Sequence, residues 1–315
     1  MALRRVCRHW HTLTQDLLYP HVWLNYSRNW SYISNAVSQP HIAALVRNVR
    51  LSPTRFDHNF SILQRCASHI ELVVQPEFPR TERVYTGPLD EPLPDLPSLQ
   101  HVYWIESAWS TPLLLAILRS AVKLQHLAIS SSSSIDSSFF RSASFPPLSR
   151  LRSLLVIGLP RTDISAFLRH SHLTSLEELT IPPMYLMLQL PSIPTLRTLI
   201  LANSYYASST VSFAVILDLF PQLMELRYSL ASSLIPPTGG QFASALVCVH
   251  LLSHNSPPPY SIDPHCLLLL GPAFGALERV VLAGPGWVGT QALEWEEWRS
   301  IKDRGCIVEM EKRPH

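Results

Sequence analysis

Three glycines near the C-terminal end of this chain have the spacing of a phosphate-binding turn. "VVLAGPGWVG" (280–289) sets Gly284, Gly286 and Gly289 as G-x-G-x-x-G. A strand-like apolar run precedes them, a helix-like stretch, "TQALEWEEWRSIKDRG", follows, and Glu309 stands about 20 residues further on. Such a unit can hold a pyrophosphate on backbone N–H groups, with the acidic residue on the ribose. Against this, Pro285 removes one of those N–H groups. Other reactive residue types are isolated. His250 and His254 are four apart, but no glutamate follows the first, and His250 falls in a strand-like run rather than the helix a zinc-binding H-E-x-x-H needs. His265 and Cys266 are adjacent and alone. Cys7 lies on an apolar helical stripe, which favours packing over nucleophilic use. No G-x-S-x-G occurs. The expectation is a protein that is not an enzyme, with no catalytic residue, no cofactor and no metal site.

The elements that surround these residues are repetitive. The pattern apolar-x-x-apolar-x-apolar recurs as "LQHLAI" (124–129), "LRSLLV" (151–156), "LEELTI" (176–181) and "LRTLIL" (196–201). Looser copies stand at 46–51, 67–72, 99–104, 223–228, 246–251 and 277–282. The steps between copies centre on the roughly 20–29 residues of leucine-rich repeats. Each copy supplies one short strand of a parallel sheet, with its first, fourth and sixth side chains pointing inward. The residues flanking the fourth position face out along a concave side. One unit cannot bury its leucines alone, so neighbours must stack. Helix-like stretches at 110–121, 163–171 and 212–221 can cover the back of the sheet. The prolines of "LPSLQHV", "FPPLSRL", "IPTLRTL" and "FPQLMEL" are expected to stop a helix before the strand begins.

The expected fold class is therefore α/β: an irregular leucine-rich-repeat solenoid, or horseshoe, over residues 31–315. Loop insertions are expected near 75–98, 130–147 and 253–264, and a short helical segment over 1–30. In this frame the glycines form the turn leaving the strand at 277–282, "LEWEEWRSIKDRG" is a back helix and "CIVEM" a closing strand. Trp287, Trp295 and Trp298 become cap residues.

Composition narrows the function classes. With 47% hydrophobic and 15% charged residues, the chain can bury a large core. The net charge is +2 and the basic residues are scattered, so no stripe suited to nucleic acid is present. Only 10 glycines stand beside 27 prolines, which argues against many tight hairpins. The five cysteines, Cys7, Cys66, Cys248, Cys266 and Cys306, are widely spaced and read as reduced thiols. No signal peptide or membrane span is expected. The expected location is cytoplasmic or nuclear, with no membrane and no nucleic-acid partner.

At the N-terminus, Leu3, Val6, Cys7, Trp10, Leu13, Leu17 and Leu18 recur at helical spacing and Pro20 ends the run. By itself this is a helix able to cap a repeat array. "VCRHWHTLTQDLLYPHVWL" also resembles the second half of an F-box, with Val6, Cys7, Arg8, Trp10, Leu13, Leu17, Leu18 and Tyr19 in the motif positions. "HIAALVRNVRLS" is similar to the segment that joins F-boxes to leucine-rich repeats in many fungal members, of basidiomycete type. The stretch that opens an F-box, Leu-Pro-x-Glu-Leu, is not found before Val6, so the F-box is partial.

The resemblance implies a substrate receptor of a Skp–cullin–F-box ubiquitin ligase. Leu3, Val6, Cys7, Trp10, Leu13, Leu17 and Leu18 would bind the Skp-type adaptor, and the repeats would hold an unidentified protein substrate. The alternatives are a leucine-rich-repeat scaffold with no ligase link and, more remotely, a nucleotide-binding enzyme using the GPGWVG loop. Outward-facing candidates for partner binding are Arg50, Glu71, His101, Tyr103, His126, Glu178, Thr180, Glu225, Arg227 and Arg279, joined by Asn48, His69 and His250. This set is mixed in charge and contains an aromatic residue, which suits a protein or peptide partner.

Overall fold

The computed structural model describes residues 19–24, 30–52, 56–76, 92–106, 111–131, 146–159, 161–187, 190–202, 210–230, 233–235, 245–253, 265, 268–271, 274–287 and 296–311. The chain is α/β and divides into two compact units. Unit one comprises Met1–Arg152 with Gly158–Leu173, and unit two comprises Ser153–Ile157 with Thr174–His315.

In unit one, β1 (His21–Trp23), β2 (Asn48–Arg50), β3 (Leu72–Gln75), β4 (His101–Glu106) and β5 (His126–Ser131) pair in chain order, all parallel. One hydrogen-bond device repeats along the ladder. The carbonyl just before a strand accepts two successive N–H groups from the next. Arg47 O receives Glu71 N at 2.7 Å and Leu72 N at 3.1 Å, Glu71 O receives Gln100 and His101, and Gln100 O receives Gln125 and His126. The connections carry α1 (Trp30–Val37), α2 (Pro40–Ala43), α3 (Phe56–Cys66) and α4 (Thr111–Ser120), while α5 (Arg161–His170) completes the unit. Apolar strand residues such as Val49, Val102, Trp104 and Leu127 are buried, as are Leu113, Leu114, Ile117 and Leu118 of α4. Where the chain leaves β2, the buried side chain of Asn59 takes the place of a neighbouring strand. Ser52 N donates to its Oδ1 at 2.7 Å, and its Nδ2 donates to Ser52 O at 2.8 Å.

Unit two repeats the scheme. β6 (Ser153–Ile157), β7 (Glu178–Ile181), β8 (Thr198–Leu201), β10 (Glu225–Ser229), β12 (Cys248–Leu252), β13 (Arg279–Ala283) and β14 (Ile307–Met310) form a parallel ladder in that order. β9 (Thr210–Ser212) and β11 (Ser233–Ile235) make a small separate pair. Helices α6 (Phe213–Leu219) and α7 (Arg299–Asp303) follow β9 and precede β14. Leu196, Leu199 and Leu201 are all buried, as are Leu176, Leu179 and Ile181 one strand away. Truncating any one of these leucines to alanine removes about 2–5 kcal/mol.

The structure changes several expectations. The repeat reaches three residues further upstream than the six-residue pattern. Leu99, Leu124, Leu151, Leu196, Leu223 and Leu277 each bond back through N–H to the carbonyl three residues earlier, on Leu96, Ala121, Leu148, Ile193, Phe220 and Phe274, all buried. Pro97, Pro194 and Pro221 occupy the second position of these turns, where their fixed φ fits. They shape the entry to the strand, and Pro221, two residues past the end of α6, also stands where a helix stops. The copy at 67–72 is out of register by three, because the buried positions are Ile70, Val73 and Gln75. A polar residue in the sixth position hid the true copy.

β1 lies inside the 1–30 segment expected to be helical, and it pairs with β2. Most of the three expected insertions, 77–91, 132–145 and 254–264, lie outside the described residues. At their margins Gln75 and Ser130–Ser131 are strand, and Leu93 and Leu96 are buried. The described part of the expected C-terminal helix is a 3-10 turn, Glu296–Trp298, followed by the short α7. Trp287 and Trp298 are fully buried core residues, while Trp295 is outside the described residues. Among the described residues, no helix is long and apolar enough to cross a membrane.

Candidate functional site

The glycine turn is explained by the exit from β13. Gly284 has φ +95°, and a Cβ on it would stand 2.6 Å from Ser253 O, so only glycine fits without strain. Pro285–Trp287 then form a 3-10 turn, and the buried Trp287 indole N–H donates to Leu251 O at 3.0 Å. Trp287 therefore locks the turn onto β12. Gly289 lies outside the described residues.

The outward face of unit two carries a cluster of paired charges. Register brings Glu225 beside Cys248 and Cys248 beside Arg279, with Arg227 beside His250 in the next row. His250 Nε2 lies 2.8 Å from Glu225 Oε1, and Arg227 Nε lies 2.7 Å from the same oxygen. Arg227 also reaches Glu311 at 3.8 Å, and Arg279 reaches Glu309 at 3.6 Å. Ser153 Oγ donates to Glu178 Oε1 at 2.9 Å. The hydrogen bond from His250, reinforced by Arg227 against the opposing effect of burial, pulls the Glu225 carboxyl down to about 2. Burial would lower His250, but the Cys248 sulfur and the Glu225 carboxylate override it and push the imidazole up to about 9.

A thiol, an imidazole and a carboxylate thus adjoin in the order that activates a nucleophile. Cys248, however, is 3% exposed, and His250 Nδ1 is buried with no hydrogen-bond partner. The sulfur is thus buried, and what the described geometry shows is a set of paired charges around it. Of the other buried thiols, Cys66 is pushed up to about 11 by burial, with Arg65 opposing, and Cys306 is raised by burial. Cys306 Sγ donates to Leu277 O at 2.8 Å.

Unit one presents a different face. Two rows run across its strands in register. One is Trp23, Arg50, Val74, Tyr103 and Ala128, and the other is His21, Asn48, Leu72, His101 and His126. Trp23 is 58% exposed and Tyr103 50%, unusually open for large aromatic side chains. The Arg50 guanidinium lies over the Trp23 ring, 5.5 Å from its centre. His101 and His126 stack with ring centres 4.6 Å apart and 4° between planes. Burial, then the neighbouring His126, lower the His101 pKa, and Glu71 partly opposes them. Asn48 Nδ2 and His21 Nδ1 are 2.8 Å apart. A cavity of about 220 Å³ adjoins Trp23, lined by Tyr19, His21, Val22, Trp23, Ile33, Ala36 and Val37.

The sequence-selected residues distribute as follows. Asn48, Arg50, His101, Tyr103 and His126 share the outward face of unit one, and Glu178, Glu225, Arg227, His250 and Arg279 that of unit two. Thr180 occupies its register position beside Leu155 but is buried. Glu71 and His69 precede β3 instead of lying on it. Glu71 pairs with Arg47 at 3.5 Å, and Leu72 and Val74 take the outward positions. Trp23 and Glu311 were not selected, and Glu309 was considered only for a ribose; alternation around the buried Val22 is the signal that marks Trp23.

The adaptor-directed residues Leu3, Val6, Cys7, Trp10, Leu13, Leu17 and Leu18 lie outside the described residues, as do His254 and Cys266. His265 is buried, with Nδ1 3.1 Å from Tyr228 Oη. Among the described residues, no group of three His, Cys, Asp or Glu side chains is arranged to hold a metal ion. No protein-family model matches the chain, and no curated protein matches it.

Proposed function

We propose that this chain is a non-catalytic protein-binding module, an irregular leucine-rich-repeat solenoid that serves as substrate receptor of a Skp–cullin–F-box ubiquitin ligase in the cytoplasm or nucleus. The observation that carries the binding reading is the in-register outward row of unit one, which holds two half-exposed aromatic side chains around an arginine. Short parallel strands joined in chain order, with the same carbonyl device at most steps, support the solenoid. The F-box-like residues Val6, Cys7, Arg8, Trp10, Leu13, Leu17, Leu18 and Tyr19 support the ligase link. In this mechanism the receptor does no chemistry. It holds a target beside the ligase, and the rate gain comes from proximity.

The test is calorimetry of the purified chain with a fungal Skp adaptor, with Trp10→Ala alongside. Saturable binding that is lost in Trp10→Ala, with the unfolding midpoint retained, is the expected result. Absence of binding by the folded chain overturns the ligase link and leaves a repeat scaffold.

A further inference from the structure

We propose that the outward face of unit one takes an extended acidic segment of a protein partner, lying across β1–β4 with a carboxylate on Arg50 and an apolar or aromatic side chain between Trp23 and Tyr103. The proposal rests on the protein-binding reading above and names the chemistry of what is bound.

The first argument is charge. On unit two, Arg227 and Arg279 each have a carboxylate partner. On unit one, Arg47 has Glu71, but among the described residues no carboxylate is within ion-pair distance of Arg50. Among the described residues its contact is the Trp23 ring. No outward position of β1–β4 that pairs in the two rows holds an aspartate or glutamate, whereas Arg50 stands in one of them. Among the described residues, an anionic group is what this surface lacks.

The second argument is shape. Leu72 and Val74, both partly exposed, form a low apolar floor on β3. The bulkier Trp23 and Arg50 rise on one side of it, and His101 and Tyr103 on the other. Trp23 and Tyr103 are three strands apart, roughly 14 Å at the usual strand spacing. An extended peptide covers that span with about four or five residues. The aromatic rings favour a flat or apolar side chain over the floor, and Arg50 a carboxylate next to it. Duplex or single-stranded nucleic acid fits less well, because one unpaired arginine does not make the phosphate-tracking stripe such ligands require.

The experiment is fluorescence anisotropy of labelled poly(Glu,Tyr) titrated with the full chain, with poly(Lys,Tyr) and oligo(dT) as comparators. Saturable binding of poly(Glu,Tyr) alone is expected, weakened about ten-fold or more by Arg50→Glu and severalfold by Trp23→Ala or Tyr103→Ala. These side chains are exposed, so the variants should keep the parental circular dichroism and unfolding midpoint. Arg299→Glu, the same charge change on exposed α7, should leave binding unchanged. No saturable binding of poly(Glu,Tyr), tighter binding of oligo(dT), or an equal loss in Arg299→Glu overturns the proposal. Adaptor calorimetry reads a different set of residues, so failure here and failure of the ligase reading are separate results.

Discussion

His250 on β12 and Glu225 on β10 are joined Nε2 to Oε1 at 2.8 Å, and each moves the other's titration away from its ordinary range. The imidazole is raised to about 9 and the carboxyl lowered to about 2. A raised histidine contributes stability that is complete below its unfolded value of 6.5 and is lost as pH rises through about 9. A depressed glutamate contributes stability present above 4.5 and lost as pH falls toward about 2. Urea unfolding should therefore show a plateau between about pH 4.5 and 6.5 and a fall from pH 6.5 to about pH 9. His250→Gln should flatten the alkaline fall and cost about 1.5–3 kcal/mol at pH 6, the range for hydrogen bonds to charged groups. An unchanged alkaline limb in the variant would refute the coupling.

His101 behaves in the opposite sense. Its pKa is lowered by burial and by the stacked His126, so folding is weakened as pH drops below 6.5 and the unfolded chain takes the proton more readily. In an NMR titration His101 should have a midpoint below 6.5. His126→Ala removes the like-charged neighbour and should move that midpoint upward; a downward move or none would contradict the stacked geometry.

Two glycines with positive φ separate backbone strain from steric contact. Gly284→Ala places a Cβ 2.6 Å from Ser253 O at φ +95°, whereas Gly305→Ala, at φ +87°, meets nothing within 4 Å. Gly305→Ala should cost about 1 kcal/mol, the backbone penalty alone. Gly284→Ala should cost clearly more, about 2–4 kcal/mol, because β12 and the turn must also move apart. Equal midpoint shifts in thermal unfolding would show that the close approach carries no weight.

Asn59 satisfies both backbone groups of Ser52 from a buried position. Asn59→Ala removes both of these buried hydrogen bonds and should destabilise by about 2–5 kcal/mol. Asn59→Asp keeps the acceptor for Ser52 N but loses the donor to Ser52 O, so it should also be destabilising at neutral pH. Hydrogen exchange at Ser52 N gives a local check: protection should fall in the alanine variant and persist longer in the aspartate one.

The parallel α/β ladder was legible because burial repeats. Leu151, Leu154 and Val156, or Leu196, Leu199 and Leu201, mark inward positions by apolar type alone, and every strong copy of the pattern is a strand at its expected place. Legibility failed where one residue broke the code. Gln75 in an apolar position shifted β3 by three, and β1, flanked by Pro20 and followed by polar residues, carried too little periodicity to be found. At Pro221 the turn and the helix stop coincide, because α6 ends at Leu219 and the Phe220–Leu223 turn begins at once; at Pro97 and Pro194 the structure describes the turn.

The sequence alone determined which residues alternate inward and outward, and hence that Arg50, Tyr103, Glu225 and Arg227 share surfaces with neighbours in successive repeats. Only the tertiary structure decided which of those surface groups are already satisfied. Arg227 and Arg50 occupy equivalent positions on their strands, yet the first has Glu225 and Glu311 within reach, while among the described residues the second has the Trp23 ring and no carboxylate. Part of the difference is local, because Glu225 stands two residues before Arg227 where Asn48 stands before Arg50. The reach of Arg227 to Glu311 and of Arg50 to Trp23 depends on cross-strand register, set by hydrogen bonds between segments some 20–30 residues apart, which no local pattern encodes.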